Sequence, residues 1–199
     1  MRHLAEGITR FQREVFPAKA GLLAQLATTH QPSTLFIGCS DARVIPELIT
    51  QADPGELFVI RTAGNLVPLY TSGADGIVAS IEYAIAVLGV KDIIVCGHSA
   101  CGAMTALAQG HDLTDTPAIA DWLRQAAAAQ DLSAPAGSRQ TVAALVRENV
   151  AVQLANLAAH PSVAHALAKD SVRLHGWVFD IPTGTVEELD AGRHRSRVA

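Results

Sequence analysis

Three short runs of apolar, largely branched residues constrain this chain more than anything else in it: Thr34 to Ile37, Leu57 to Ile60 and Asp92 to Cys96. Each has the length of a strand, and each leads through a turn into residues with helical spacing. Strands that alternate with helices need crossover connections, and these produce a mostly parallel sheet covered on both faces. The expected fold is therefore α/β, a mostly parallel β-sheet flanked by helices, with residues 1–199 forming a single domain. A composition of 49% hydrophobic and 5% aromatic residues favours helices packed on branched strands over an aromatic-rich sandwich.

Leu4, Ile8, Phe11 and Val15 share one side of an amphipathic helix that Pro17 is expected to stop, and Leu22 to Leu26 continue as a second piece. Together they predict an N-terminal helical arm over about residues 1–28. Further helices are expected over residues 44–50, 74–88, 100–110, 117–130 and 141–159, with a polar loop from Asp131 to Ser138. The alternating segment Val172 to Phe179 reads as a strand, Pro182-Thr183-Gly184 as a turn, and Thr185 to Leu189 as the closing extended piece. The tail 191–199 has the polar, charged composition expected of a disordered end.

With 15 basic and 19 acidic side chains the net charge is -4, which gives no overall positive field for a phosphate backbone, so no nucleic-acid partner is expected. No segment has the roughly 20 uncharged apolar residues of a membrane span, and the first residues lack a secretory pattern. The expectation is a cytoplasmic protein with no membrane partner. Its three cysteines are odd in number and too few for a disulfide framework.

In open parallel sheets ligands gather beyond the carboxyl ends of the strands. Cys39 lies just past the first predicted strand, and His98 and Cys101 just past the third, so a long gap in sequence becomes a short one in space. A His-x-x-Cys pair at a strand-to-helix turn can aim both donors at one point, with Cys39 arriving from a neighbouring strand. Two thiolates and one imidazole suit zinc and leave a tetrahedral ion one ligand short, the arrangement of a catalytic site. Taken singly, each of the three is as easily a buried thiol or a hydrogen-bonded core histidine.

The surrounding residues narrow this. Cys39-Ser40-Asp41-Ala42-Arg43 and Gly97-His98-Ser99-Ala100-Cys101-Gly102 closely resemble the C-x-D-x-R and H-x-x-C signatures of the β-class carbonic anhydrases. The similarity continues in order through Pro54 to Arg61, Ala63 to Pro68, Ser80 to Ala84 and Leu174 to Trp177, and covers about residues 5–190. The resemblance implies reversible hydration of carbon dioxide to bicarbonate and a proton by zinc-bound hydroxide, with one zinc per subunit. It also implies a homodimer or higher homo-oligomer whose N-terminal helices lie across the partner and whose active-site cleft is at the subunit interface. Relatives with the same zinc motif hydrolyse carbonyl sulfide or carbon disulfide, and a zinc-stabilised binding module is a further alternative.

Asp41, two residues after a zinc thiolate, can complete the tetrahedron or stand beside it, and Arg43 offers a planar fork to hold it away. Held by Arg43, Asp41 would accept a proton and orient the nucleophile; swung onto zinc as fourth ligand, it would close the site. By the resemblance, Phe58 and Tyr83 line a small apolar substrate pocket, Gly102 supplies a backbone donor beside zinc, and Gln31 donates to substrate oxygen. Counting back from Cys39 puts His30 in the usual Gln place, so Gln31 serves only if the loop is one residue shorter. Ala42 and Thr62 also depart from the common Ser and Asn, without touching a metal ligand. Some relatives form a non-catalytic bicarbonate pocket from Trp, Arg and Tyr. Phe36, Arg61 and Phe179 stand at those places, which favours the open form.

Overall fold

The computed structural model describes residues 2–73, 75–129 and 141–189. The predicted loop 131–138 and tail 191–199 lie outside them. One sheet contains β1 (Thr34–Cys39), β2 (Leu57–Thr62), β3 (Asp92–His98), β4 (Arg173–Phe179) and β5 (Val186–Leu189) in the order β2-β1-β3-β4-β5. The first four strands run parallel and β5 returns antiparallel on β4. The helices are α1 (Arg2–Arg10), α2 (Phe16–Leu26), α3 (Pro46–Thr50), α4 (Gly76–Glu82), α5 (Gly102–Gln109), α6 (Pro117–Leu123), α7 (Val142–Ala158) and α8 (Pro161–Ala168).

Because successive strand side chains point to opposite faces, Leu35, Ile37, Ile93 and Val95 fall on one side of the sheet and Phe36, Ile94 and Cys96 on the other. The first set packs with Ile81 and Ala84, with Val150 and Leu157 of α7, and with Val163 and Ala166 of α8. Helix α7 approaches β3 and β4 closely because glycine leaves room. A Cβ at Gly97 would come within 2.8 Å of Val150, and one at Gly176 within 2.9 Å of Leu154. Gly97 directly precedes His98, so this approach brings α7 alongside the chemistry.

Several expected boundaries move. Pro17 does not stop the first helix: helical backbone continues from Arg2 to Leu26 through a π-helical turn at Phe11–Val15, where the Phe16 N–H reaches back to the Phe11 carbonyl. The wider turn absorbs the proline, which sits in the first turn of α2 and needs no donor there. The helix expected from residue 100 begins at Gly102, since Ala100 takes a left-handed φ of 53° to turn Cys101 back over the strand end. Helix α6 stops at Leu123 and tightens into a 3₁₀ stretch, Arg124–Ala129, while α8 is an additional helix. Strand β2 extends through Arg61 and Thr62, which places Thr62 opposite Cys39.

The N-terminal arm leaves its predicted apolar side uncovered, with Leu4, Ile8, Phe11 and Val15 all exposed. Its far end is tied down by an ion pair from Lys19 to Asp53 and by Leu26 against the turn at Gly55.

Candidate metal centre

At the carboxyl end of the sheet, the last residue of β1 is Cys39 and the last of β3 is His98, while Cys101 precedes α5. All three are buried, and their donor atoms lie within 4.8 Å of one another. The His98 Nδ1 stands 2.9 Å from the Ser99 carbonyl oxygen, which can only accept, so Nδ1 carries the proton and Nε2 presents a bare lone pair. That Nε2 is buried without any hydrogen-bond partner. A buried, unpaired acceptor beside two thiols is costly unless a cation binds it, and this soft set of two sulfurs and one imidazole fits zinc.

The thiols share protons unequally. Cys39 is pulled down to about 4, first by the hydrogen bond from Cys101 and then by the Asp41 and Gly64 amides, against the opposing effect of burial. Cys101 is pushed up by the neighbouring Cys39 sulfur and by burial. Between them the two thiols hold a proton that a dication would displace. Cys96, inside β3, is a buried thiol raised to about 12 by desolvation, as befits a core residue.

Asp41 is held aside from this cluster. Arg43 grips it with Nε to Oδ1 at 2.9 Å and a terminal nitrogen to Oδ2 at 2.7 Å, and the Arg43 backbone N–H donates to Oδ1 at 3.0 Å. The same guanidinium donates to the Ala100 carbonyl at 3.1 Å, which joins the Cys39 turn to the Cys101 turn. Arg43 holds the Asp41 carboxyl well below the usual carboxylate range, so it is ionised throughout the neutral region. Its Oδ2 remains 4.0 Å from His98 Nε2. Arg61 donates to the carbonyls of Cys39 and Asp41 at 3.0 and 2.6 Å and fixes the backbone of the turn.

The remaining predicted residues divide between the two ends of the sheet. Gly102 opens α5 beside Cys101 and faces open space. His30 and Gln31 are exposed and precede β1, whose length of about 17 Å separates them from Cys39. Phe58 pairs with Leu35 in register, four residues before the Thr62–Cys39 pair, or about 13 Å along the strand. Its ring meets Tyr83 at 6.0 Å between centroids, so these two form one patch at the amino end of the sheet.

The loop from Ala63 to Pro68 is held by residues whose role is not visible in their local sequence. Trp122 Nε1 donates to the Ala63 carbonyl, Asn149 to that of Gly64, Asn156 to that of Val67 and His160 to that of Pro68, at 2.9 to 3.1 Å. Gln153 accepts from the Val67 N–H at 2.8 Å and donates to Asn149 at 2.9 Å. The readable signal is a stripe of amides at 149, 153 and 156 inside a helix that is apolar apart from these and the adjacent Arg147 and Glu148.

Residues 34–186 match the family model described as carbonic anhydrase. The chain is 52% identical over 198 residues to a carbonic anhydrase of Pseudomonas aeruginosa, covering 98% of this chain and 90% of that one. Among solved structures it resembles the β-carbonic anhydrase CcaA, with TM-score 0.88 and 38% identity over 96% of this chain and 87% of the other. It also resembles a tetrameric β-carbonic anhydrase from the filamentous ascomycete Sordaria macrospora, with TM-score 0.82 and 30% identity over 94% and 95% of the two chains. With the Cys-His-Cys cluster at the strand ends and this likeness over nearly its whole length, the chain belongs to the β-carbonic anhydrase family.

Proposed function

We propose that this protein catalyses the reversible hydration of carbon dioxide to bicarbonate and a proton, with one zinc ion per subunit held by Cys39, His98 and Cys101. The observation that carries this reading is the bare, buried Nε2 of His98 facing two thiols, with an ionised Asp41 held beside them. Zinc in such a site supplies the Lewis acidity that makes water a hydroxide nucleophile near neutral pH. The chain's own groups do the rest. Asp41, held by Arg43, would accept a hydrogen bond from the nucleophile and orient its lone pair towards the substrate carbon, and because it stays ionised the proton released in hydration passes to solvent. Arg43 fixes both carboxylate oxygens and so supports the open arrangement, in which the fourth position is left to water. The Ala103 and Met104 N–H groups at the start of α5 serve the Cys101 sulfur, and the Gly102 N–H beside them is the donor assigned to substrate oxygen.

The apolar slot for carbon dioxide requires a second copy. Gln31, Phe58 and Tyr83 are at the wrong end of their own sheet, so a homodimer or higher homo-oligomer would bring one subunit's amino-end patch to another's metal. The exposed Leu69, Tyr70, Tyr83 and Val87, and the open face of the arm, give such an assembly apolar surface to bury. A cytoplasmic location suits three thiols that are all unpaired. Among the described residues no helix is long and apolar enough to cross a membrane.

Stopped-flow carbon dioxide hydration on zinc-loaded protein, with metal analysis, tests the proposal. Turnover that follows zinc content and disappears in Cys101→Ser supports it. Turnover of carbon disulfide without that of carbon dioxide, or a zinc-loaded protein inert to both, overturns it.

A further inference from the structure

The peptide group between Ala63 and Gly64 is held at both ends. Its carbonyl oxygen accepts from Trp122 Nε1 at 2.9 Å, and its N–H donates to the Cys39 sulfur at 3.4 Å. Gly64 has a left-handed φ of 74°, and a Cβ there would press on Ala103 at 3.0 Å and Met104 at 3.3 Å, so the plane's orientation is fixed by packing as well. The next peptide is secured through its own carbonyl by Asn149 at 3.0 Å. Asn149 is fully buried and locked in turn by Gln153.

We propose that Trp122, seconded by Asn149, is a positioning residue for the Cys39 thiolate: it aims the Gly64 N–H at the sulfur. The inference rests on Cys39 being a metal ligand. An N–H directed at a thiolate draws charge from the sulfur and fixes the direction of its lone pairs, which changes how much positive charge reaches the open coordination position. The indole bond to the carbonyl end of the same amide polarises that N–H and strengthens its bond to sulfur. Neither side chain touches substrate; both act through the backbone of one loop. Trp122 comes from α6 and Asn149 from α7, so two helices with no ligand of their own set the electronics of a ligand on β1.

The test uses cobalt(II) in place of zinc, because sulfur-to-cobalt charge transfer absorbs in the near ultraviolet and reports the charge on the thiolates directly. Trp122→Phe keeps the aromatic packing and removes only the N–H donor. Its charge-transfer band should move to longer wavelength than that of the parent, since the sulfur loses a hydrogen bond. In the zinc form kcat/KM should fall about tenfold with metal content unchanged. Asn149→Ser should shift the band in the same direction by less, and it serves as the second variant should Trp122→Phe not fold. Leu157→Ala is the control: this buried residue lies on the same α7, in the other core cluster, and its loss should lower thermal stability without moving the band. Parental bands in both Trp122→Phe and Asn149→Ser overturn the proposal, as does an equal shift in Leu157→Ala. A parent protein with no thiolate band would instead refute the metal centre itself.

Discussion

Replacing Arg43 by alanine removes both side-chain bonds to Asp41 and the bond to the Ala100 carbonyl, but it leaves the backbone N–H of residue 43 on Asp41 Oδ1. One carboxylate oxygen stays tethered while Oδ2 becomes free to swing, from a starting point 4.0 Å from His98 Nε2. The charge of Asp41 does not change at working pH. Its pKa, now held down by Arg43, would rise towards the ordinary value of about 3.9, still far below neutrality. Any loss of rate must then come from geometry. Misplacing a group that orients the nucleophile costs about 10² in rate, so the expected fall in kcat/KM is about a hundredfold. Lysine at the same position offers a point charge in place of a planar fork and should recover about tenfold of that.

The assay is stopped-flow carbon dioxide hydration with an indicator dye, run beside metal analysis on the same samples. Zinc content should remain at one per chain, because Cys39 and His98 end hydrogen-bonded strands and Arg61 still holds the Cys39 and Asp41 carbonyls once the Arg43 bond to Ala100 is lost. Asp41→Ala separates the two consequences of losing the arginine, since it removes the hydrogen-bond acceptor that orients the nucleophile without supplying a carboxylate that can close the site. If Arg43→Ala hydrates carbon dioxide at the parental rate, or if it loses zinc and activity together, the role given to this pair is wrong.

Cys101→Ser should strip zinc and activity together, which metal analysis and the hydration assay check in one preparation. Bicarbonate should inhibit without cooperativity: Phe36 is fully buried against Trp177, and Arg61 already serves the Cys39 and Asp41 carbonyls, so a sigmoidal fall in rate with bicarbonate would contradict the structure. Hydration should increase from pH 7 to 9, because two thiolates cancel the charge of zinc and leave the water less acidic than beside three imidazoles; a flat or falling profile in the folded protein would count against it. Asp92 is lowered by Arg173 and then by His175. Its stabilisation is therefore present above the ordinary carboxylate pKa and lost as pH falls below it, so the stability difference between parent and Asp92→Asn in denaturant melts should shrink between pH 7 and 3.

Periodicity read the sheet well because a buried parallel strand is a local pattern: a few branched residues, then a glycine or a turn. The same pattern pointed to the Cys-His-Cys cluster, since Cys39 and His98 end β1 and β3 and a parallel sheet puts those ends together. Less legible was anything decided by hydrogen bonds between distant residues. Pro17 looked like a stop because sequence alone does not show the π-helical turn that accommodates it. Trp122 and Asn149 looked like ordinary helix residues, as their partners are backbone carbonyls 59 and 85 positions away. His175 had no visible partner in sequence, yet its ring reaches Asp92 at 2.8 Å and Glu188 at 3.2 Å across the sheet edge.

The division of the proposed site between the two ends of one sheet has a simple physical origin. The carboxyl ends of parallel strands open into loops whose backbone can wrap a polar or charged group, and here they collect two thiols, an imidazole, a carboxylate and an arginine. The amino ends receive the helices coming back, and the meeting of β2 with the π-helical stretch Tyr83–Val87 leaves aromatic side chains, Phe58 and half-exposed Tyr83, against each other. Neither end alone offers what an uncharged substrate and a charged product need in sequence, an apolar slot next to a polar nucleophile. Moving the two ends of one chain together would mean folding the sheet on itself, whereas apposing two copies costs no internal strain and covers the apolar surface each leaves open. A catalytic unit built this way should lose activity on dilution below its assembly constant while each subunit keeps its three proposed zinc ligands, so activity and metal content would part company with concentration.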